Sequence, residues 1–391
     1  MDTQALYDLS PALRLMGMGL VLAAGPLAWV WLRNRQAGSS RRLQALTLLT
    51  LFLTFDLVLF GSFTRLTDSG LGCPDWPGCY GKASPVGAHA EISAAQQAMP
   101  TGPVTHGKAW VEMIHRYLAT GVGVLILVLA ISTWVEHLRQ RRSGAALAVP
   151  SPWWATLTLV WVCVQGAFGA LTVTMKLFPA IVTLHLLGGL LLLALLALQA
   201  VRYAQLHSAS ATRPLPARVH TLMKIGLALL TLQIALGGWV STNYAVLACT
   251  EFPTCQGSWW PEMNFAQGFE LWRELGLTAA GEHISFAALT AIHYAHRLAA
   301  YLVIAVLVLL AWRLHVLPAW RVPARWLAGL LLLQFLTGLS NVVLDWPLLA
   351  AVLHTGGAAA LVVLLTWGLA GSKTHRAIVR AAPVSVSSPA A

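Results

Sequence analysis

Four histidines recur at matched places in two halves of this chain: His115 and His185 in the first, His296 and His354 in the second, each near the start of a long apolar stretch. Imidazole nitrogen is a ligand for transition metals, and two imidazoles facing each other inside an apolar helical bundle can hold a haem iron from both sides. A lone histidine within a membrane helix is as readily a hydrogen-bonded packing residue, but four at matched positions argue for ligation, because ionisable groups inside a bilayer are costly. Zinc or copper would also accept imidazole. No third or fourth ligand recurs in both halves, so haem with two axial histidines is the economical reading.

The repeat that carries these histidines is visible by spacing alone. GSFTRLTDSGLGCPDWPGC, Gly61 to Cys79, lies over GGWVSTNYAVLACTEFPTC, Gly237 to Cys255, without a gap. EMIHRYLA around His115 lies over HYAHRLAA around His296, and Gln165 precedes His185 by the same interval that separates Gln334 from His354. A glycine follows each second histidine in register, Gly188 and Gly357. Such coincidences in one order predict two homologous modules of four helices each.

These modules must lie in a membrane. Hydrophobic residues make up 57% of the chain and charged residues only 10%, too few for the surface of a soluble protein of this size. Apolar stretches of the length that a bilayer core requires fall near 11–33, 43–64, 111–134, 153–175, 179–201, 218–241, 286–312, 325–343 and 347–370. One precedes the repeat and eight lie within it. The first is too long for a signal peptide and lacks a clear cleavage site, so it reads as a retained helix. The predicted class is an all-α polytopic membrane protein: two pseudo-symmetric four-helix transmembrane bundles plus one extra N-terminal helix. The expected divisions are an extra helix and basic loop over 1–42, a first bundle over 43–205, a linker over 206–217, a second bundle over 218–372 and a tail over 373–391.

Arginines fix an orientation. Arg33, Arg35, Arg41, Arg42, Arg139, Arg141, Arg142, Arg202, Arg213, Arg313, Arg321 and Arg325 fall in alternate loops, with Lys373, Arg376 and Arg380 in the tail. Basic loops stay in the cytoplasm, which predicts an outer amino terminus and a cytoplasmic carboxyl terminus in a cell membrane. The net charge of +11 is therefore topological and implies no nucleic-acid partner. Cys73, Cys79, Cys249 and Cys255 then face the oxidising side, where each CxxxxxC pair is expected to close its own disulfide. Zinc is the weaker reading of these pairs, which lack CxxC spacing and a nearby histidine. Cys163, among Trp161, Val162 and Val164, is expected to be a buried apolar side chain.

Depth agrees with pairing. His115 and His185 lie within a turn or two of the outer ends of their helices, His296 two to three turns in and His354 about two turns after Pro347, so both sites belong to the outer half of the membrane. The halves differ three residues before the first ligand, where Glu112 stands in one and His293 in the other. An i, i+3 spacing puts Glu112 on the helix face of His115, where a carboxylate could move protons or stabilise a cationic intermediate. Its plainer role is an interfacial charge paired with Arg116. His293 reads as a hydrogen-bonding or core polar residue, and Arg65, Arg116 and Arg297 as candidate partners for haem propionates.

The segments GSFTRLTDSGLGCPDWPGCYG, PVTHGKAWVEMIHRY, ACTEFPTCQGSWWP and AIHYAHRLAAY resemble the haem A synthase family, from about residue 45 to residue 370. That resemblance implies two four-helix bundles, a haem B held by His296 and His354, and haem O as substrate between His115 and His185. It implies oxidation of a haem methyl group to a formyl group for cytochrome oxidase assembly. Glu112 matches the family's essential acidic residue, and Cys73 with Cys79 its redox-linked pair. An electron donor, unidentified by the sequence, and the farnesylating enzyme that supplies haem O are the implied partners besides the lipid bilayer. The first helix, Pro11 to Arg33, departs from the family pattern. Alternatives of another class are a two-haem membrane cytochrome serving a quinol and a haem carrier; an electron conduit has no need of a carboxylate at one site only.

Overall fold

The computed structural model describes residues 10–372 except 145, 147 and 209–211. The expected tail at 373–391, with Lys373, Arg376 and Arg380, lies outside the described residues, as do residues 1–9.

Nine long apolar helices are found among the described residues. They are α1 (Ser10–Arg33), α2 (Ser39–Leu66), α4 (His106–Arg142), α5 (Pro152–Thr174), α6 (Pro179–His207), α7 (Ala217–Thr242), α9 (Phe286–His315), α10 (Arg321–Val343) and α11 (Leu348–Gly371). Two shorter helices, α3 (His89–Ala98) and α8 (Phe265–Gly268), sit in the long loops and were not expected from hydropathy. There is no strand among the described residues, only isolated bridges.

Local chemistry sets the starts of the helices that carry the histidines. Thr105 caps α4 by accepting from Lys108 N–H at 3.3 Å, and Ser285 caps α9 by accepting from Ala288 N–H at 3.2 Å. Pro179 opens α6 and Pro347 immediately precedes α11, where a missing N–H costs nothing. Each histidine is thereby placed at a fixed distance from a defined helix start.

Helices α2, α4, α5 and α6 pack in a ring, and α7, α9, α10 and α11 pack in a second. The rings meet through α6 on α11, α2 on α11 and α6 on α7. Side chains such as Phe52, Leu157, Leu232 and Leu332 stay exposed; in hydrocarbon this carries no penalty, since lipid tails are as apolar as leucine. Cys163 belongs to this class. It is exposed on α5 and not buried as expected, because apolar character alone does not tell a lipid-facing side of a membrane helix from a core-facing one.

The two cysteine loops repeat one design. Cys73–Cys79 and Cys249–Cys255 are disulfides, both fully buried. Asp75 accepts from the N–H groups of Tyr80 at 2.6 Å and Gly81 at 2.7 Å; Glu251 accepts likewise from Gly257. These acids bind the turn in which Gly81 and Gly257 take φ of +69° and +71°. Where the rings meet, Tyr244 donates to Asp68 at 2.7 Å, Arg65 lies 4.1 Å over the Tyr244 ring, and Arg65 donates to Ser241 O. Asp68 and Tyr244 are equivalent positions of the repeat and share a left-handed backbone, so the pseudo-twofold axis passes beside them.

Candidate haem sites

Helices α4 and α6 bring His115 and His185 to the interior of the first ring, and α9 and α11 bring His296 and His354 to the second. Each pair is close enough for its imidazoles to interact electrostatically. Every one of the four rings is half-buried. Among the described residues, no group of three or more His, Cys, Asp or Glu side chains could share a metal ion. The candidate donors in each ring are one pair of imidazoles.

A glycine on the neighbouring helix faces each ring. A Cβ added at Gly61 would lie 3.0 Å from His115 Nε2, and one at Gly169 would lie 3.6 Å from His185 Cε1. The same holds for Gly237, 2.9 Å from His296 Cε1, and Gly338, 3.1 Å from His354 Cε1. Four bare backbone surfaces let the four imidazoles lie close against the neighbouring helices, and two imidazoles from opposite helices of a ring are a donor set that fits haem in both rings. The matched Gln–Gly pairs explain themselves as packing: a Cβ at Gly188 would be 2.0 Å from Gln165 Nε2, and one at Gly357 2.2 Å from Gln334 Nε2.

Support behind the rings differs between the halves. His354 Nδ1 lies 3.0 Å from Thr337 Oγ1, whose own hydrogen goes to Leu333 O at 2.7 Å. Thr337 therefore accepts from Nδ1–H, which leaves the Nε2 lone pair free for a metal. Gln334 donates to His354 O at 2.8 Å, and Gln233 donates to His296 O at 3.0 Å while lying 3.0 Å from its Nδ1. In the first half Leu57 and Phe168 occupy the places of Gln233 and Thr337. His185 Nδ1 and both polar atoms of Gln165 are buried without a hydrogen-bond partner. Gln233 and Thr337 escaped sequence reasoning because a single Gln or Thr in an apolar helix gives no signal until its neighbour is known.

Glu112 is buried, and its carboxylate is doubly engaged: it accepts from Cys73 N–H at 2.7 Å and pairs with Arg116. Arg116 in turn donates to the carbonyls of Asp75 at 2.9 Å, Pro77 at 3.2 Å and Gly78. Arg297 repeats the clamp, donating to Cys249 O at 3.0 Å and Thr254 O at 3.1 Å. Its Nε–H donates to His293 Nε2 at 3.3 Å, while His293 Nδ1–H donates to Ala245 O at 3.0 Å. Both nitrogens of His293 are thus used as core hydrogen-bonding groups. Arg116, Arg297 and Arg65 all spend donors on backbone carbonyls, so the structure gives each an architectural task besides any contact with a propionate. Arg273, buried in the long loop between α7 and α9, donates to Leu277 O at 3.2 Å and to Asn243, and keeps an unpartnered Nε; nothing in its sequence context marked it.

Residues 44–366 match the family model described as cytochrome oxidase assembly protein (COX15-CtaA). The chain belongs to this family. It is similar to the heme A synthase of Shewanella oneidensis, with 40% identity over 324 residues, which are 81% of this chain and 92% of that protein. It is also similar to the heme A synthases of Sinorhizobium medicae, 29% identical over 85% of this chain and 89% of that one, and of Halalkalibacterium halodurans, 26% identical over 76% and 86%. The matched region of the haem A synthase family begins after α1.

Proposed function

We propose that this protein is a haem A synthase: it takes haem O into the first ring between His115 and His185, oxidises a methyl group to a formyl group for cytochrome oxidase assembly, and keeps a haem B between His296 and His354. The observation that carries the division of labour is the unequal support behind the imidazoles. A resident cofactor calls for ligands held in one tautomer and one orientation, as Thr337, Gln334 and Gln233 hold His354 and His296. A substrate that must enter and leave calls for looser ligands, and the free Nδ1 of His185 and the unpaired Gln165 fit that need.

Haem supplies redox chemistry when bound; the chain supplies position and charge. Glu112 keeps a carboxylate on the α4 face of His115, fixed by Cys73 N–H and by the Arg116 guanidinium. A fixed carboxylate in low dielectric favours positive charge developing nearby and accepts a proton without reorganising. His293, engaged on both nitrogens, offers no such group to the second ring. Basic ends of α1 and α4 at Arg33, Arg139, Arg141 and Arg142, opposite the cysteine loops, support a multi-pass orientation with those loops outside a bacterial cell membrane. An electron donor and the enzyme that makes haem O are the partners this reading requires.

Extraction of the haems from purified protein tests the reading. Haem B together with haem O or haem A supports it. Two equivalents of haem B and nothing else would make the chain a two-haem cytochrome, and exchangeable haem without oxidation would make it a carrier.

A further inference from the structure

Helix α1 lies outside the region shared with the family, yet it is built into one ring only. Its main helix contacts are with α4 and α2. Its buried residues Pro11, Leu15, Gly19, Ala23 and Val30 form one stripe, mostly at intervals of four. The upper end of this stripe reaches the first outer loop: Leu15 is buried in one cluster with Cys73, Cys79, Ile92, Met113 and Tyr117, and a Cβ at Gly78 would lie 3.3 Å from the Pro11 side chain. Lower down the backbones nearly touch. A Cβ on Gly19 would lie 2.4 Å from Thr120 Cγ2 and 3.0 Å from its backbone carbon, and one on Gly121 would lie 3.5 Å from Leu22. Such small-residue contacts are how membrane helices pack closely without a hydrophobic driving force.

Comparison of the halves shows that α4 is shaped for this contact. The positions of α9 equivalent to Thr120 and Gly121 are Tyr301 and Leu302, 48% and 56% exposed, large side chains turned outward. Thr120 is also one turn from Arg116, donating to its carbonyl at 2.8 Å. A chain of contacts therefore runs from Gly19 through Thr120 to Arg116, and from Leu15 to the disulfide loop. Both routes end on the two groups that hold the Glu112 carboxylate.

We propose that α1 is a positioning element of the first site, a strut that clamps α4 and the Cys73–Cys79 loop and so fixes Glu112 beside His115. This rests on the reading of the first ring as the substrate site, but its primary test does not. In purified, haem-loaded protein, the rate at which maleimide labels Cys73 and Cys79 under mild reductant is compared with that of Cys249 and Cys255 in the same molecules. Gly19→Leu should speed labelling of the first pair by about tenfold, as expected when a local opening loses its covering helix, and leave the second pair and the haem B spectrum unchanged. Leu15→Ala should shift it in the same direction by less, and Gly17→Leu, whose added Cβ would meet nothing within 4 Å, should behave as the parent. The haem A to haem O ratio should fall as the labelling rate rises. Parent-like labelling in both Gly19→Leu and Leu15→Ala would overturn the proposal, and so would faster labelling with undiminished haem A. If Gly19→Leu speeds labelling of both pairs alike, the protein has loosened generally, and Leu15→Ala then decides by the same two criteria. Should Glu112→Gln keep full activity, the reading of Glu112 fails, while a selective labelling change would still identify α1 as the support of the loop.

Discussion

Glu112 and Cys73 are joined across 39 residues of sequence by a 2.7 Å hydrogen bond from the cysteine's backbone N–H to the carboxylate. The carboxylate three residues before His115 on α4 is therefore held from outside the ring, by the loop that the disulfide closes. Burial makes this arrangement consequential, because a carboxylate taken from water must keep its partners or lose its charge.

Substitutions of Glu112 separate its two tasks. Glu112→Gln keeps an oxygen that can accept from Cys73 N–H but removes the charge, so the loop should stay folded, haem B should be retained and haem A formation should collapse. Both changes leave Arg116 as a buried cation without its counter-ion, a change of the kind that costs about 3–5 kcal/mol, but Glu112→Ala also strips Cys73 N–H of its acceptor and should lower thermal stability further. Melting curves and extracted haem profiles of the two variants check this. A fully active Gln variant would leave Glu112 as a structural partner of the loop and nothing more.

Ligand substitutions test the division between the rings. His296→Ala or His354→Ala should remove the low-spin haem B signal, since the iron loses one of two axial imidazoles. His115→Ala and His185→Ala should spare that signal and stop haem A production. Loss of haem B in the first-ring variants alone would reverse the roles of the halves.

Glycines facing the imidazoles give a second handle. Gly237→Leu fills the space beside His296, where even a Cβ would approach to 2.9 Å, and Gly61→Leu does the same beside His115. The first should abolish haem B incorporation and the second haem O binding, each without the other. Haem spectra and haem O titration of the two variants read the outcome.

The nine spans and the repeat were legible in the sequence because each depends on composition over many residues: twenty apolar positions in a row, or four landmarks in one order. The cysteine pairing was legible because the orientation put both CxxxxxC loops on the oxidising side, where each pair was expected to close its own small loop. Cys163 was misplaced because hydropathy cannot distinguish lipid from core. Neither α3 nor α8 follows from an apolar pattern, since both are short and lie in polar loops, where single polar contacts tie them down: Gln96 of α3 accepts from His106 N–H at 3.0 Å, and Asn264 caps α8 by accepting from Gln267 N–H at 3.0 Å. Spacing alone put Glu112 on the face of His115, but only the fold reveals that Cys73, far away in sequence, supplies its hydrogen bond. Thr337 and Gln233 belong to the same class: their meaning lies in a contact, and a contact between distant residues leaves no local trace.

Thr337 carries the sharpest prediction about why one haem stays. It accepts from His354 Nδ1–H while donating to Leu333 O, so it fixes both the tautomer and the plane of the ring. Thr337→Val keeps the shape and removes the acceptor, leaving Nδ1–H buried without a partner at a cost of about 1–3 kcal/mol. Outer-shell changes of this kind weaken metal binding by roughly 10–100-fold, and haem B should pass correspondingly faster to an apoprotein scavenger. The reciprocal change, Phe168→Thr, brings a hydroxyl to the equivalent place behind His185, whose Nδ1 lacks a partner. It should slow release from the first ring and lower turnover while haem O binding tightens. Scavenger kinetics on both variants measure this, and equal release rates from parent and Thr337→Val protein would show that the residence of haem B is set by something other than the support behind its ligands.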